Sequence, residues 1–434
     1  MRRDRRLWLL LAVALLVRGL LLPLPEQGNF DLTTFWRPWM NYAAQHGLAQ
    51  LYLHGEPAPV NYPPLYLALL TALGKLYAAC QPDLAFTAWQ RVLIKLPAVA
   101  ADLGIAALLY CVTATGLSDA RRSMWPLLAA ALWAFNPAVI YVSSVWGQVD
   151  AIHTFWMLAA LWAALQKRWG WSGFLMALAL LTKLQAVAVG PVLLLVTWVG
   201  GARALLRATL MGAATLGIAF AGLSASGALQ PALDVYFGSV GFYPALSMNA
   251  YNPWFIVQAV MRQTLGSTPT DTMPLLGPLT ARQIGLLLLG SYTLLIISVL
   301  LRRWRCVVAH FTHAQVLEAF FAAGLLIFGF FMLATEMHER YILPALAPLA
   351  LPAVMQRRAR LPYALLSLTV LLNLIRVLPL TAAQLRLMEA IPGDRLLISL
   401  INSGLFVWLT LLYLTATGRQ HAVALANNVT ERER

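Results

Sequence analysis

Residues 7–24, LWLLLAVALLVRGLLLPL, form an apolar run that directly follows the basic segment MRRDRR at residues 1–6. A run of this length is long enough to cross a bilayer as a helix. Similar runs, bordered by short basic clusters, recur along the 434-residue chain, which is 60% hydrophobic and only 11% charged. Too little polar surface remains to solvate a soluble globule of this size. The sequence therefore predicts an all-α polytopic membrane protein.

The formal net charge of +14 comes from arginines and lysines concentrated between the apolar runs. This is the positive-inside pattern of cytoplasmic loops, and it argues against a nucleic-acid-binding face. If every basic cluster is cytoplasmic, the chain makes about twelve crossings and both termini lie inside. The predicted crossings are residues 7–24, 92–115, 125–142, 151–165, 171–184, 186–199, 206–224, 285–301, 316–334, 342–355, 361–380 and 396–417.

Two long segments, residues 25–91 and 226–283, are predicted to lie outside. The aromatic residues of the first indicate helices that lie on the outer leaflet. Residues 65–80 are apolar enough to span, and we favour an outer-leaflet or re-entrant helix there. The alternative, which the sequence leaves open, is a crossing balanced by a further helix hidden in residues 89–116. Residues 356–417 are predicted to be C-terminal transmembrane helices, and residues 418–434 a cytoplasmic tail. The glycosylation sequon at Asn428 falls in this tail and therefore carries no weight.

Several polar residues fall at predicted outer helix ends. Asp31 follows the first crossing, in apolar surroundings that would tune a carboxylate for general-base chemistry. Gln148 and Asp150 precede another apolar run, where helix capping is the alternative interpretation. Lys183 interrupts apolar sequence, and it either faces a pocket or extends to the membrane interface.

Two further clusters lie at predicted outer boundaries. Asn249 and Tyr251 belong to an amide- and aromatic-rich stretch that either binds a sugar or forms a turn. The segment TEMHERY at residues 335–341 places four ionisable side chains within five positions between two apolar runs. Arg340 offers a planar fork for phosphate oxygens, and His338 offers a second donor; a structural ion-pair cluster is the alternative. The segment is not an HExxH zinc motif because position 342 is Ile, and no metal site is predicted.

The set of motifs resembles that of the GT-C glycosyltransferases, integral membrane enzymes that use polyprenyl-phosphate sugars as donors. The resemblance rests on Asp31, Tyr-Pro-Pro-Leu at 62–65, Trp-Gly-Gln-Val-Asp at 146–150, Thr-Lys-Leu-Gln at 182–185, Asn-Ala-Tyr-Asn-Pro-Trp at 249–254 and His-Glu-Arg-Tyr-Ile-Leu-Pro at 338–344. The last run is similar to the His-Glu motif of the dolichyl-phosphate-glucose glucosyltransferases of N-glycan assembly and of bacterial mannosyltransferase-like relatives. The first-loop acid is a single Asp, and an Asp-x-Asp metal motif is missing, which fits a branch that works without bound metal.

The resemblance implies a GT-C fold whose catalytic module spans residues 1–355. It also implies an inverting enzyme that moves a single sugar from a polyprenyl-phosphate donor to an acceptor hydroxyl on the outer face of the membrane. In that mechanism Asp31 is the catalytic base, and Arg340, His338 and Lys183 bind the donor phosphate. The residues expected to bind sugar or acceptor are Gln148, Asp150, Asn249, Tyr251, Glu339 and Tyr62.

No cofactor or metal is expected on this hypothesis. The expected partners are the donor lipid, a glycan, lipid or protein acceptor, and membrane lipid, but not nucleic acid. Compact loops indicate a bacterial inner membrane, with the active site facing the periplasm. The sugar, the acceptor and the oligomeric state stay open.

A lipid-linked sugar flippase is the alternative to an enzyme. Transporters place polar groups near the bilayer midplane, whereas most polar groups here lie at one predicted boundary. Lys95, Asp102 and Arg376 lie deeper and would pair with one another as structural links. A third hypothesis, a non-catalytic membrane scaffold, leaves the clustering of ionisable residues unexplained.

Overall fold

The computed structural model describes residues 4–25, 30–55, 59–115, 123–304, 311–390 and 393–416. The first half of this part of the chain is helical almost throughout. Its elements are α1 (Arg5–Leu21), a π-helical turn (Leu32–Trp36), α2 (Arg37–His46), α3 (Leu48–His54), α4 (Pro64–Cys80), α5 (Ala88–Ala114), α6 (Trp125–Ala134), α7 (Pro137–Ile140), a second π-helical turn (Tyr141–Trp146), α8 (Asp150–Leu165) and α9 (Trp169–Thr182).

The second half continues in the same way and adds two small pairs of strands. Its helices are a 3-10 helix (Leu184–Val189), α10 (Gly190–Val199), α11 (Ala202–Ala225), α12 (Leu229–Phe237), α13 (Pro253–Leu265), α14 (Ala281–Arg303), α15 (His313–Leu333), a 3-10 helix (Leu343–Ala345), α16 (Leu346–Met355), α17 (Arg357–Val377), α18 (Ala382–Glu389) and α19 (Asp394–Thr415). Strand β1 (Ser247–Met248) pairs in parallel with β4 (Met337–His338), and β2 (Pro274–Leu276) pairs antiparallel with β3 (Leu279–Thr280).

The described residues contain six helices long and apolar enough to span a membrane, namely α5, α11, α14, α15, α17 and α19. A bent pair, residues 125–134 and 137–146, makes seven if it counts as one span, although its halves differ in direction by 43°. The all-α membrane class is thereby confirmed, and the prediction of about twelve crossings is wrong.

The physical reason for the lower count is helix length. Helices lie at the other predicted crossings, but they are short: the apolar helices α8, α9 and residues 184–199 and 343–355 have 10–17 residues each. A helix of 17 residues rises about 26 Å, less than the roughly 30 Å of a bilayer's hydrocarbon core. Hydropathy reports apolar runs, but it does not report where a regular helix breaks.

The apolar run of residues 65–80 forms α4, a 17-residue helix that packs on α2. The packing is close because a Cβ on Gly74 would lie 2.6 Å from the carbonyl oxygen of Met40. The proposals of a re-entrant or interfacial position stay predictions. The predicted boundary at residue 355, between the catalytic module and the C-terminal helices, also stays a prediction. The predicted tail at 418–434, which contains Asn428, lies outside the described residues.

Buried ion pairs link the helices, but not in the predicted combination. Arg18 of α1 pairs with Asp102 of α5, with Nε and Oδ2 3.1 Å apart and both side chains fully buried. Arg376 lies 3.5 Å from Asp394, and the Lys95 ammonium donates to the carbonyl of Leu22 at 3.2 Å. Asp102 and Arg376 therefore pair with Arg18 and Asp394, and not with each other as expected.

Candidate functional site

A cavity of about 550 Å³ opens where the ends of several helices meet. Its walls come from the segment before α4, from the junction of α9 with the 3-10 helix, from α12 and the loop after it, from the start of α14, and from residues 334–341. Tyr62, Lys183, Arg282, His338 and Arg340 supply much of its polar wall. Five distant parts of the sequence therefore share one cavity.

Four buried charges form a chain along the polar wall. The Lys183 ammonium lies 2.7 Å from Oδ1 of Asp150. Oδ2 of Asp150 is 3.7 Å from Nε of Arg340, and Nη1 of Arg340 lies 2.6 Å from Oε1 of Glu339. All four residues are less than a tenth exposed. The two cations are therefore fixed in position by carboxylates behind them, because a buried charge is tolerated when it is paired.

Local backbone structure places this network. Gly147 adopts a left-handed φ of +80°, which ends the second π-helical turn, and α8 then begins at Asp150. An acid in the first turn of a helix is favoured by the helix dipole. Helix α9 ends at Thr182 because Lys183 has extended backbone angles. Lys183 therefore lies at the C-terminal end of α9, where the helix dipole favours a cation.

Aromatic rings surround the cations. The Lys183 ammonium lies 4.5 Å from the centroid of the Tyr341 ring, and the Arg340 guanidinium carbon lies 5.7 Å from that of Trp146. The His338 ring contacts the rings of Tyr243 and Tyr341, with centroids 4.9 Å and 5.1 Å away. Such ring faces attract cations, so the aromatic residues help to hold Lys183 and Arg340 in place.

Ionisation states follow from this burial. Burial is the largest influence on His338 and lowers its pKa, so the imidazole is neutral near neutral pH. Burial opposes ionisation of Glu339, but Arg340 and then His338 act against it and lower the pKa of Glu339 to about 2. Glu339 is therefore a carboxylate that balances the guanidinium, and His338 is a neutral hydrogen-bonding group.

Asp31 lies beside this network at the first π-helical turn. Its Oδ2 accepts hydrogen bonds from Nε1 of Trp146 at 2.9 Å and from Nε2 of Gln148 at 2.5 Å. Asp31 and Gln148 are therefore brought together, but neither lines the cavity. Gln148 therefore helps to position the Asp31 carboxylate, and whether either residue binds a ligand stays a prediction.

Asn249 and Tyr251 do not line the cavity, although the backbone of Asn249 forms a bridge with that of His338. Asn249 has a left-handed φ of +61°, and its carbonyl accepts from Nδ2 of Asn373 at 2.9 Å. Tyr251 is 2% exposed, and its carbonyl accepts from Nδ2 of Asn402 at 2.8 Å. Neither residue lines the cavity, so both hold the loop between β1 and α13 against the last two long helices. Whether Asn249 and Tyr251 bind a sugar stays a prediction.

The other predicted site residues converge. Tyr62, Lys183, His338 and Arg340 line the cavity. Asp150 and Glu339 contact the two cations from behind. Whether they bind a ligand stays a prediction. Among the described residues, no group of three or more His, Cys, Asp and Glu side chains is arranged to hold a metal ion.

Sequence reasoning missed a second ion cluster, formed by Asp271, Arg282 and Glu336, of which Arg282 and Glu336 line the cavity. Arg282 donates to both carboxylate oxygens of Asp271 at 2.9 Å and 2.8 Å, and it lies 3.2 Å from the Glu336 carboxylate. Glu336 also accepts from the backbone amides of Gly241 at 2.8 Å and Tyr243 at 3.2 Å. The cluster thus ties the loop 238–245 to the segment 335–341.

Backbone strain marks the same position. Glu336 has a φ of +62°, which is uncommon for a residue with a Cβ. Such conformations persist only where the surroundings stabilise them. Here the hydrogen bonds from the backbone amides to the Glu336 carboxylate, together with the Arg282 contact, hold the residue. The signal in the sequence was Glu336 itself, the first ionisable residue of the 335–341 segment. Its partners Gly241, Tyr243 and Arg282 lie 54 to 95 residues earlier in the chain.

We expect Glu336→Gln to loosen the loop 238–245. A glutamine keeps the size of the side chain but has one accepting oxygen and no charge, so it loses the ion pair and part of the amide bonding. Hydrogen exchange of the loop amides should become about tenfold faster, the effect of losing roughly one charge-assisted bond. Glu318→Gln is the matched control, since Glu318 pairs with Arg303 on α14 at 3.1 Å, far from the loop. Unchanged exchange in residues 238–245 would contradict the tie.

Comparison with known protein families gives a match that covers the cavity. A family model described as GPI transamidase subunit PIG-U matches residues 42–342, more than half of the chain. The cavity lining falls entirely within these residues. A search of curated proteins finds no match.

The family match corrects the resemblance drawn from motifs. A GPI transamidase subunit is a different membrane protein from a GT-C glycosyltransferase of the dolichyl-phosphate-glucose type. The predictions of a polyprenyl-phosphate-dependent sugar transferase, of a sugar flippase, and of a polyprenyl-phosphate-sugar donor as partner are therefore wrong. The reason is that Arg, Lys, His and Asp at helix ends are what any membrane site for a phosphorylated head group requires. An integral membrane protein is confirmed, whereas the bacterial inner membrane stays a prediction.

Proposed function

The chain belongs to the family of the GPI transamidase subunit PIG-U, and on that premise we propose that it is a membrane-embedded subunit of a complex that attaches proteins to a glycolipid anchor. Its partners are then other protein subunits, the glycolipid and the protein to be anchored. The matched residues supply all the cavity walls. The cavity is therefore the feature through which we expect this subunit to act.

We propose that the cavity binds the phosphate-bearing head group of the glycolipid. GPI abbreviates glycosylphosphatidylinositol, and this lipid carries a phosphate diester. The observation that carries the proposal is the pair of buried cations, Lys183 and Arg340, held by Asp150 and Glu339 at the polar wall. Arginine binds phosphate through two parallel hydrogen bonds (bidentate geometry), and lysine binds it as a compact point charge.

The charge balance favours one phosphate group over a polyanion. Asp150 and Glu339 already compensate Lys183 and Arg340, so the wall carries fixed donors without a large surplus of positive charge. Donors that are held in place need no reorganisation when the ligand arrives. Tyr62, Tyr243 and Tyr341 line the same cavity, and a tyrosine hydroxyl is a further hydrogen-bond donor.

We also propose that the cavity faces the side of the membrane opposite the basic loops. Helix α8 begins at Asp150, beside the cavity, and Lys167 follows its other end. Helix α14 begins next to Arg282 at the cavity and ends at Arg303. Positively charged loop residues mark the cytoplasmic side, which supports an extracytoplasmic cavity.

The test is purification of the tagged full-length chain from its own host in mild detergent. We expect other subunits to co-purify in fixed ratio, and the assembly to transfer a protein onto a phosphoinositol glycolipid. The protein composition is read by cross-linking mass spectrometry, and the transfer by the mass of the product. A chain that is purified without partners, or an assembly that does not transfer, would overturn the subunit proposal.

Lys183→Met tests the head-group site separately. Loss of one charge-assisted contact should reduce the phosphoinositol lipid that co-purifies with the chain by about tenfold. Arg262→Met is the control because Arg262 is exposed on α13, away from the cavity. Equal lipid content in both variants would exclude Lys183 from the site.

A further inference from the structure

A second cavity, a groove of about 340 Å³, lies between α1 and α6. Each helix supplies one side of it, with Arg6, Leu9 and Val13 on the α1 side and Leu128 and Phe135 on the α6 side. Every lining residue except Arg6 is apolar. Leu9 is 66% exposed and Leu128 is 43% exposed. The groove is therefore an apolar channel that is open to its surroundings and has a single cation in its wall.

Arg6 lies at the end of the groove where both helices begin. Its Nη1 donates to Sδ of Met124, the residue before α6, over 3.8 Å. Asp4 accepts from Nε and Nη2 of the same guanidinium at 3.2 Å and 3.1 Å. The Arg6 side chain nevertheless stays 41% exposed. The guanidinium is thus fixed by Asp4 and still accessible to a ligand in the groove.

The groove has the depth of one leaflet. Its α6 side runs from residue 124 to residue 135, which corresponds to a rise of about 16 Å along a helix. This is about half of the roughly 30 Å of a bilayer's hydrocarbon core. Near the far end, Arg18 of α1 donates to the carbonyl of Ala134 at 2.7 Å, so the two helices meet there. A groove that starts at the membrane boundary therefore closes near the midplane.

The end at Arg6 carries the positive charge. In the sequence, residues 2–6 contain four arginines and one aspartate, and two further arginines at 121–122 precede α6. The guanidinium carbon of Arg360, near the start of α17, lies 5.9 Å from the centroid of the Trp125 ring on α6. Basic residues concentrated in this way mark the cytoplasmic boundary, and basic pockets between helices on that side attract anionic lipids.

We propose that this groove binds an anionic phospholipid of the cytoplasmic leaflet, with its phosphate on Arg6 and one acyl chain along Leu9, Val13 and Leu128. The occupant follows from charge and shape together, because an apolar channel one leaflet deep that ends at a fixed guanidinium fits an acyl chain below a phosphate. Arginine pairs strongly with phosphate oxygens, and the chain covers exposed apolar side chains.

The groove shares no lining residue with the cavity around Lys183 and Arg340. This lipid site is therefore independent of the proposed function.

The test uses the full-length chain, with any subunits that co-purify from its host, in phosphatidylcholine nanodiscs. One sample contains a phosphatidylglycerol with a photoactivatable group in an acyl chain, and the other contains a phosphatidylcholine with the same group. The anionic probe should label residues 9–13 and 127–135 about fivefold more than the neutral probe, the preference expected from one arginine near the surface. Both probes should label the region of Leu294 equally, because Leu294 is 72% exposed on α14, away from the groove.

Arg6→Gln should remove this preference, because the contact between guanidinium and phosphate is lost. Arg5→Gln is the matched control, since Arg5 is an exposed neighbour of equal charge that does not line the groove. Ala131→Phe tests the apolar part, because Ala131 lines the groove and a ring there fills it. Labelling of the groove should then fall about fourfold, as when roughly one methylene group loses its contacts. Unchanged labelling at Leu294 shows that each variant is folded and embedded.

Three results would overturn the anionic lipid site. Equal labelling of the groove by the two probes would show that any lipid occupies it. An equal loss in Arg5→Gln and Arg6→Gln would show general attraction to the basic boundary. Absence of label on residues 9–13 from both probes, with Leu294 labelled, would show that a protein partner covers the groove instead.

Discussion

Replacing Arg340 with methionine is expected to abolish binding of the phosphorylated head group and to destabilise the protein by about 3–5 kcal/mol. Arg340 is 8% exposed, and its guanidinium lies 2.6 Å from the Glu339 carboxylate, which is itself buried. Methionine fills much of the same space but leaves that carboxylate without its cation. Breaking a buried pair costs far more than the pair contributes, because one charge remains desolvated.

The second variant separates binding from stability. Combining Arg340→Met with Glu339→Gln removes both charges, so most of the lost stability should return while head-group binding stays absent. Thermal unfolding in detergent measures the stability. Binding of glycerophosphoinositol, a water-soluble head group, measures the head-group binding. Arg262→Met should change neither. Normal binding by the double variant would show that Arg340 does not contact the phosphate.

A second large effect on folding is expected for Gly173→Ala. Gly173 lies on α9, where this helix packs against α11, and a Cβ at this position would lie 1.8 Å from the backbone oxygen of Ala208. A backbone atom cannot rotate away, so the two helices must separate. Small residues permit this kind of close approach between membrane helices. We expect a loss of about 3 kcal/mol, the upper part of the usual range for overpacking.

The matched control is Gly217→Ala on α11. No atom lies within 4 Å of the Cβ position at Gly217, so the added methyl group meets open space. The same substitution should therefore be neutral or stabilise the helix by about 0.5–1 kcal/mol. Unfolding in detergent compares the two variants directly. Equal stability of the two would mean that α9 and α11 do not pack through Gly173.

The sequence determined the class of protein and the positions of most helices. Apolar runs bordered by basic clusters predict membrane helices because burying polar groups in lipid is costly. The run predicted at residues 316–334 is α15, His313–Leu333, and the run at 206–224 is α11, Ala202–Ala225. The number of spans was not determined this way, because hydropathy does not reveal where a helix such as α9 ends and a 3-10 helix begins.

The sequence also indicated many of the site residues, since an ionisable group at membrane depth is retained only for a reason. It did not determine their use. Phosphate chemistry is shared by several membrane protein families, so Lys183, His338 and Arg340 suggested a sugar transferase when the family match points to a transamidase subunit. The residue types at a site indicate which chemical group they can bind, but not the reaction in which that group takes part.

Only the tertiary structure decided which charges meet. Asp150 and Lys183 are 33 residues apart and lie 2.7 Å from each other, whereas Asn249 and Tyr251 lie in an equally polar stretch and do not line the cavity. The partners of Arg18, Asp102 and Glu336 were equally hidden. Local sequence reports the cost of burying each group, but the compensating contact comes from whichever helix end packs beside it, and that is a property of the whole fold.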